Sequence, residues 1–172
     1  MRYLYELESA YHTHLEEGMI YPESFVILKN SIDRTMDTTE EELKDWSFIK
    51  DLIHKNFWVN HGHRFGFCKC LDRLIEKMIF DDIRIAYDVI QNYVTCSHFA
   101  KETLEQFLAD QESSMLEGSV IINEIDKNIE RASVRLNYHL RSAYPQLVTK
   151  ADEIAARHFT LHNLSKHYHE LS

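Results

Sequence analysis

Only four of the 172 residues are glycine and two are proline, and that scarcity constrains the fold more than any other feature. Sandwiches, barrels and Rossmann-type α/β chains turn often, and their turns need residues that tolerate positive φ or fix it near −65°. With so few, the chain must run in long helices, and an all-α single-domain bundle of five to seven helices is expected. The 44% hydrophobic content supports a folded core, and this length buries roughly 70% of the unfolded surface.

Apolar spacing divides the chain over 1–172 into three stretches. Short amphipathic helices are expected over 1–55, an aromatic loop over 56–68 and long helices over 69–172. Leu4, Leu7, Tyr11 and Leu15 form the first stripe, and Gly18 follows where a left-handed helix cap belongs. Pro22 suits the first turn of a second helix with Phe25, Leu28, Ile32 and Met36 on one face. Thr39-Glu40-Glu41-Glu42 reads as a capping box for a third helix, whose inward face is Leu43, Trp46, Ile49 and Ile53. Beyond the aromatic loop, Leu71, Ile75, Ile79, Ile83, Tyr87, Ile90 and Val94 mark a long helix to about Asp110, with a bend or split expected near Thr95-Cys96-Ser97. A helix over about 115–143 carries Ile122, Ile125, Ile129, Ala132, Leu136, Leu140 and Ala143 at near-heptad spacing; with the partly apolar face of the last helix this predicts a homodimer, although such a seam can equally be spent inside one bundle. The last helix starts at Pro145, and Leu147, Ala151, Ile154, His158, Leu161, Tyr168 and Leu171 are expected to share its packing face, with His162 facing elsewhere.

Charge and motifs exclude several classes of function. A net charge of −9 opposes general nucleic-acid binding. No apolar run reaches the length of a membrane span, and Glu6 falls too early for the apolar core of a secretory leader. Three cysteines, odd in number and sparse, suit a reducing compartment. Glycine-rich phosphate loops, Gly-x-Ser-x-Gly, His-Glu-x-x-His, the Glu-x-x-His pair of di-iron bundles and a His-Asp dipeptide are all absent. No enzyme activity and no cofactor are expected. Asp81-Asp82 reads as a solvated helix face. The weak metal candidates are His61, His63, Cys68 and Cys70, two imidazoles and two thiols, but Cys-x-Cys is tighter than the usual zinc knuckle. His158 and His162, one turn apart, make a still weaker pair.

The opening third resembles a known family. Tyr3-Leu4-Tyr5-x-Leu7-Glu8-x-x-Tyr11, Leu15-Glu16-Glu17-Gly18-x-Ile20, Ile27-Leu28-x-x-Ser31-Ile32-Asp33-x-x-x-Asp37 and Asp45-Trp46 follow in the order and spacing of one particular region. It is the cytosolic helical region after the last membrane helix of monovalent cation:proton antiporters, of the plant Salt Overly Sensitive and sperm types and their bacterial and protist homologues. Tyr144-Pro145-Gln146 is similar as well. These motifs are structural, so the resemblance carries over no catalytic residue. It implies a regulatory and dimerisation domain on the cytoplasmic side of the cell membrane, partnered by the transmembrane portion of the same parent chain. A cyclic-nucleotide-binding-like module often follows in that family, but this glycine-poor chain cannot supply its β-roll. The competing expectation is a free-standing helical adaptor or metal-binding interaction protein.

The eleven histidines are the compositional oddity, and His158, His162, His167 and His169 crowd the last helix. They are the candidate pH-responsive residues, because histidine changes charge near neutrality.

Overall fold

The computed structural model describes the backbone of residues 1–38, 43–61, 69–109 and 115–170, and the side chains of 1–38, 43–53, 77–109 and 118–169. Those residues form an all-helical bundle without a strand: α1 (Arg2–Glu16), α2 (Pro22–Asp37), α3 (Asp45–His61), α4 (Lys69–Ala109), α5 (Met115–Val134), a π-helical turn (Arg135–Arg141) and α6 (Pro145–Glu170).

α4 is the spine. Its 41 residues extend about 60 Å at the helical rise, and α1, α2, α3, α5, the π turn and α6 all pack against it. Val89, Ile90 and Tyr93 of α4 are fully buried in one cluster with Leu7 and Tyr11 of α1, Leu28 and Ile32 of α2, Ile49 of α3 and Ile125 of α5. The helix runs unbroken through Thr95-Cys96-Ser97, where a bend was expected. Thr95 returns its hydroxyl to the Gln91 carbonyl at 3.0 Å, a back-bond that often bends helices, yet α4 continues through it without a break.

The expected start of the chain is found. α1 ends in a Schellman turn: Gly18 has φ 73°, Met19 N–H donates to the His14 carbonyl at 2.8 Å and Gly18 N–H to that of Leu15 at 3.1 Å. Pro22 opens α2.

Three expectations need correction. α3 begins at Asp45, and the expected capping box at Thr39–Glu42 lies outside the described residues. The aromatic loop does not begin at Asn56, because α3 continues to His61; Asn56 to His61 contain no glycine or proline to stop it, and Gly62 is the first breaker. Finally, the near-heptad residues Ile125, Ile129, Ala132, Leu136 and Leu140 are buried inside this one bundle, chiefly against α4, while Ala143 is exposed. Those five residues are therefore not available to a second copy.

One buried carboxyl ties three helices together. Asp45 accepts from Tyr93 Oη at 3.0 Å and from Asn128 Nδ2 at 3.2 Å. Asn128 also donates to the Leu43 carbonyl at 3.1 Å, and Leu43 N–H reaches Glu124 Oε1 at 2.9 Å. Burial pushes the Asp45 carboxyl up to about 6, against the hydrogen bonds that favour its charge. The Asp45-Trp46 pair therefore joins helices, and Trp46 lies against the Tyr93 ring, 5.3 Å between centroids.

Candidate functional site

A helix ends with carbonyls that have no partner within it, and its dipole concentrates negative charge there. At the end of α1 those carbonyls are met by α6. Val148 and Ala151 anchor α6 in the core, and His158 and His162 follow on the same face, half-buried. His158 Nδ1 donates to the Gly18 carbonyl at 3.1 Å, and His162 Nε2 donates to the Glu16 carbonyl at 2.8 Å. A carbonyl only accepts, so each of these nitrogens carries the proton. The two rings are stacked with centroids 6.3 Å apart.

The approach is close because Gly18 has no side chain. A Cβ there would sit 2.6 Å from His162 Cγ. Glycine is thus required twice at this position, by its positive φ and by the imidazole above it.

The clamp has polar groups on every side. Tyr21 lies against His158, ring centroids 4.7 Å apart, and the Arg84 guanidinium stands 4.7 Å from the Tyr21 ring. Arg84 also donates to Glu23 Oε1 at 2.9 Å. Burial pushes the Glu23 carboxyl up, but the Arg84 hydrogen bond and charge outweigh it, and the net direction is down. Beneath the turn, His14 Nδ1 donates to Asn92 Oδ1 at 3.0 Å, while Asn92 Nδ2 donates to Asp88 Oδ1 at 3.1 Å. Asp88 in turn accepts from Tyr21 N–H at 3.3 Å, and burial raises its pKa. His14, Tyr21, Arg84, Asp88 and Asn92 line a cleft of about 230 Å³ between the α1–α2 turn, α4 and α6. Cys96, 3.5 Å from His14 Nδ1, has its thiol pushed up to about 12 by burial and stays protonated and unreactive.

Of the four candidate pH-responsive residues, the structure brings His158 and His162 together, with His162 on the packing face where it was not expected. His167 and His169 are exposed and do not join them. Leu161 and Tyr168, expected to pack, are 67% and 72% exposed. The packing face is thus turned by one residue, about 100°, because histidine reaches carbonyls that leucine cannot satisfy. The metal candidates His61, His63, Cys68 and Cys70 fall outside the described side chains. Asp81 stands 4.0 Å from Arg84 Nε, on a helix face. Sequence reading missed Arg84, Asp88 and Asn92, whose signal is three polar residues at four-residue spacing inside an otherwise apolar helix.

The class defined by these features is an all-helical bundle clamped by polar contacts, in which none of the described helices is long and apolar enough to cross a membrane. No family model matches the chain. It is similar to sodium/hydrogen exchanger 7 of Arabidopsis thaliana, 28% identical over 149 residues, which cover 86% of this chain and 12% of that protein. Sodium/hydrogen exchanger 8 of the same plant is 23% identical over 167 residues, 96% of this chain and 21% of that protein. The chain is thus related to a part of sodium/hydrogen exchangers, and it spans about an eighth and a fifth of the length of these two relatives.

Proposed function

We propose that this chain is a cytoplasmic regulatory and dimerisation domain of a sodium/hydrogen (monovalent cation:proton) antiporter, coupled to transport without carrying the translocation site. The observation that carries the reading is a combination: similarity to exchangers along nearly the whole chain, in a segment whose described helices are all unsuited to a bilayer. Its partner is the transmembrane portion of the same parent chain, and it is not an enzyme.

The histidine clamp supplies a means of coupling to protons. Protonating both imidazoles keeps each donor on its carbonyl but sets two positive charges 6.3 Å apart. The groups around them are the Glu16 and Gly18 carbonyls at the end of α1, the Tyr21 ring, and the Glu23 carboxylate of α2, which interacts with His158 and is held by Arg84 of α4. The set carries charges of both signs, so the docking of α6 responds to its protonation state.

Self-association belongs to α6. Leu161, Leu164 and Tyr168 stand exposed at three- and four-residue spacing, with Arg157 one turn before. A second copy laid antiparallel places Leu161 on the partner's Leu164 and Arg157 on the ring of the partner's Tyr168, a cation–π pairing. A parallel copy would oppose Arg157 to the partner's Arg157.

The test is sodium-driven proton flux in proteoliposomes, comparing the parent antiporter with a version lacking this segment. Flux that persists with an altered pH dependence or assembly state supports the reading. Unaltered flux, pH dependence and assembly would remove it, as would a transcript whose reading frame encodes no membrane helices.

A further inference from the structure

A second site is built from elements that the histidine clamp does not use. An open groove of about 670 Å³ runs between the start of α3 and the end of α5 with its π turn. Its cationic lining is Lys44 and Lys50 from the α3 side and Arg131, Arg135 and His139 from the α5 side, over a floor that includes Trp46. Such a concentration of cations is unexpected in a chain of net charge −9. Two carboxylates also line the groove, and one of them, Glu124, is engaged by the Leu43 N–H at 2.9 Å; the other, Glu130, is exposed. Among the described residues no carboxylate forms an ion pair with Lys50, Arg131 or Arg135.

Two features make this more than a scatter of surface charge. Arg131 Nη1 donates to Asn128 Oδ1 at 3.3 Å, and Asn128 is itself fixed by Asp45 and the Leu43 carbonyl. One guanidinium is thereby anchored to the buried knot that joins α3, α4 and α5. The second feature is the π turn. Residues four apart drift about 40° around an α-helix of 3.6 residues per turn. The wider π turn, which Arg135 opens, brings every fourth residue back closer to the same azimuth, so Arg135 and His139 stay nearer one row, and both line the groove with Arg131. π-helical turns are frequent at functional sites.

We propose that this groove binds a phosphate-bearing polyanion. Guanidinium groups match phosphate oxygens in bidentate geometry, several unpaired cations favour a multiply charged ligand, and the volume is that of a small-molecule site. The same phosphate chemistry is offered by a soluble polyphosphate and by a phosphoinositide headgroup, and the experiment separates the two.

Isothermal titration of the 172-residue chain with inorganic pyrophosphate and with inositol hexaphosphate forms one arm. Co-sedimentation with phosphatidylcholine vesicles, with and without phosphatidylinositol 4-phosphate, forms the other. Saturable binding is expected in at least one arm, and the arm in which it occurs assigns the source. Arg131→Gln/Arg135→Gln should weaken it about tenfold or more, since charge-assisted contacts contribute at least that factor. Lys50→Gln/Arg135→Gln does the same without touching the Asn128 contact, so the result does not depend on the first variant folding. Arg157→Gln/Lys166→Gln removes equal charge from α6 and should leave binding within about twofold. Absence of saturable binding in both arms, or an equal loss in the α6 control, overturns the proposal.

Discussion

The imidazole of His162 occupies the space that a Cβ at Gly18 would need, with His162 Cγ 2.6 Å from that position. The left-handed cap of one helix and the packing of another thus converge on a single hydrogen atom. Gly18→Ala should destabilise the chain in two separable parts. The left-handed conformation costs an alanine roughly 1–2 kcal/mol, and the clash adds to it. In a His162→Ala background the second part disappears, so the same substitution should cost only the backbone term. Thermal denaturation reads the difference, at about 2–4 °C per kcal/mol for a chain of this size. Equal costs in both backgrounds would mean that His162 does not press on the turn.

Asp45 makes the chain's stability depend on pH in a defined direction. Its folded pKa, about 6, lies above the 3.8 of the free side chain. Its contribution is therefore fully present below about pH 3.8 and is lost as pH rises through about 6. Asp45→Asn removes this dependence while keeping the shape. The parent should lose ground to the variant by about 2.5 kcal/mol between about pH 4 and pH 7.5, most of the effect implied by a shift of that extent. Urea midpoints at the two pH values measure it, and a constant gap between parent and variant would contradict the buried placement.

The clamp predicts a pH response confined to α6. Titration from about pH 8 to about 5.5, the interval in which histidines change charge, should raise amide exchange in α6 and around Gly18 in the parent. A variant with His158, His162, His167 and His169 all changed to Gln should show a flat response. His167→Gln/His169→Gln alone should behave as the parent, because those two residues lie outside the clamp. Superimposable profiles for the parent and the fourfold variant would end the sensor reading.

For self-association, Leu161→Glu/Leu164→Glu places charges on the exposed stripe of α6. Sedimentation equilibrium should show a parent dimer at tens of micromolar and a monomeric variant, with circular dichroism unchanged. A parent that stays monomeric through that range would confine any dimer contact to other parts of a longer protein.

How much of this was legible in the sequence follows from what helical periodicity reports. It fixes each residue's direction about its own helix axis, and so Leu4, Leu7, Tyr11, Leu28 and Ile32 fell where expected, as did the cap at Gly18 and the start at Pro22. Periodicity does not report which neighbour a face meets or how far along the helix that neighbour extends. Leu161 and Tyr168 continue an apolar pattern in the half of α6 where none of the described residues covers them, while His162 turns inward because carbonyls await it at the end of α1. Asp45 was equally hidden, since a carboxylate beginning a helix ordinarily faces water, and only the positions of Tyr93 and Asn128 make it a buried joint.

The π turn at Arg135–Arg141 has a consequence for how this chain can vary. An α-helix advances about 100° per residue, and a π turn is what remains when a helix holds one residue more than its ladder requires. Deleting a single residue within that stretch would relax the ladder to ordinary α geometry while the segments on either side keep their register, because the wide turn is what absorbs the extra residue. The same deletion in the α-helical part of α5 would instead turn one end of the helix against the other by about 100°. The stretch is thus a slack link, the place where this chain can shorten by one residue and leave its neighbouring surfaces facing as they do.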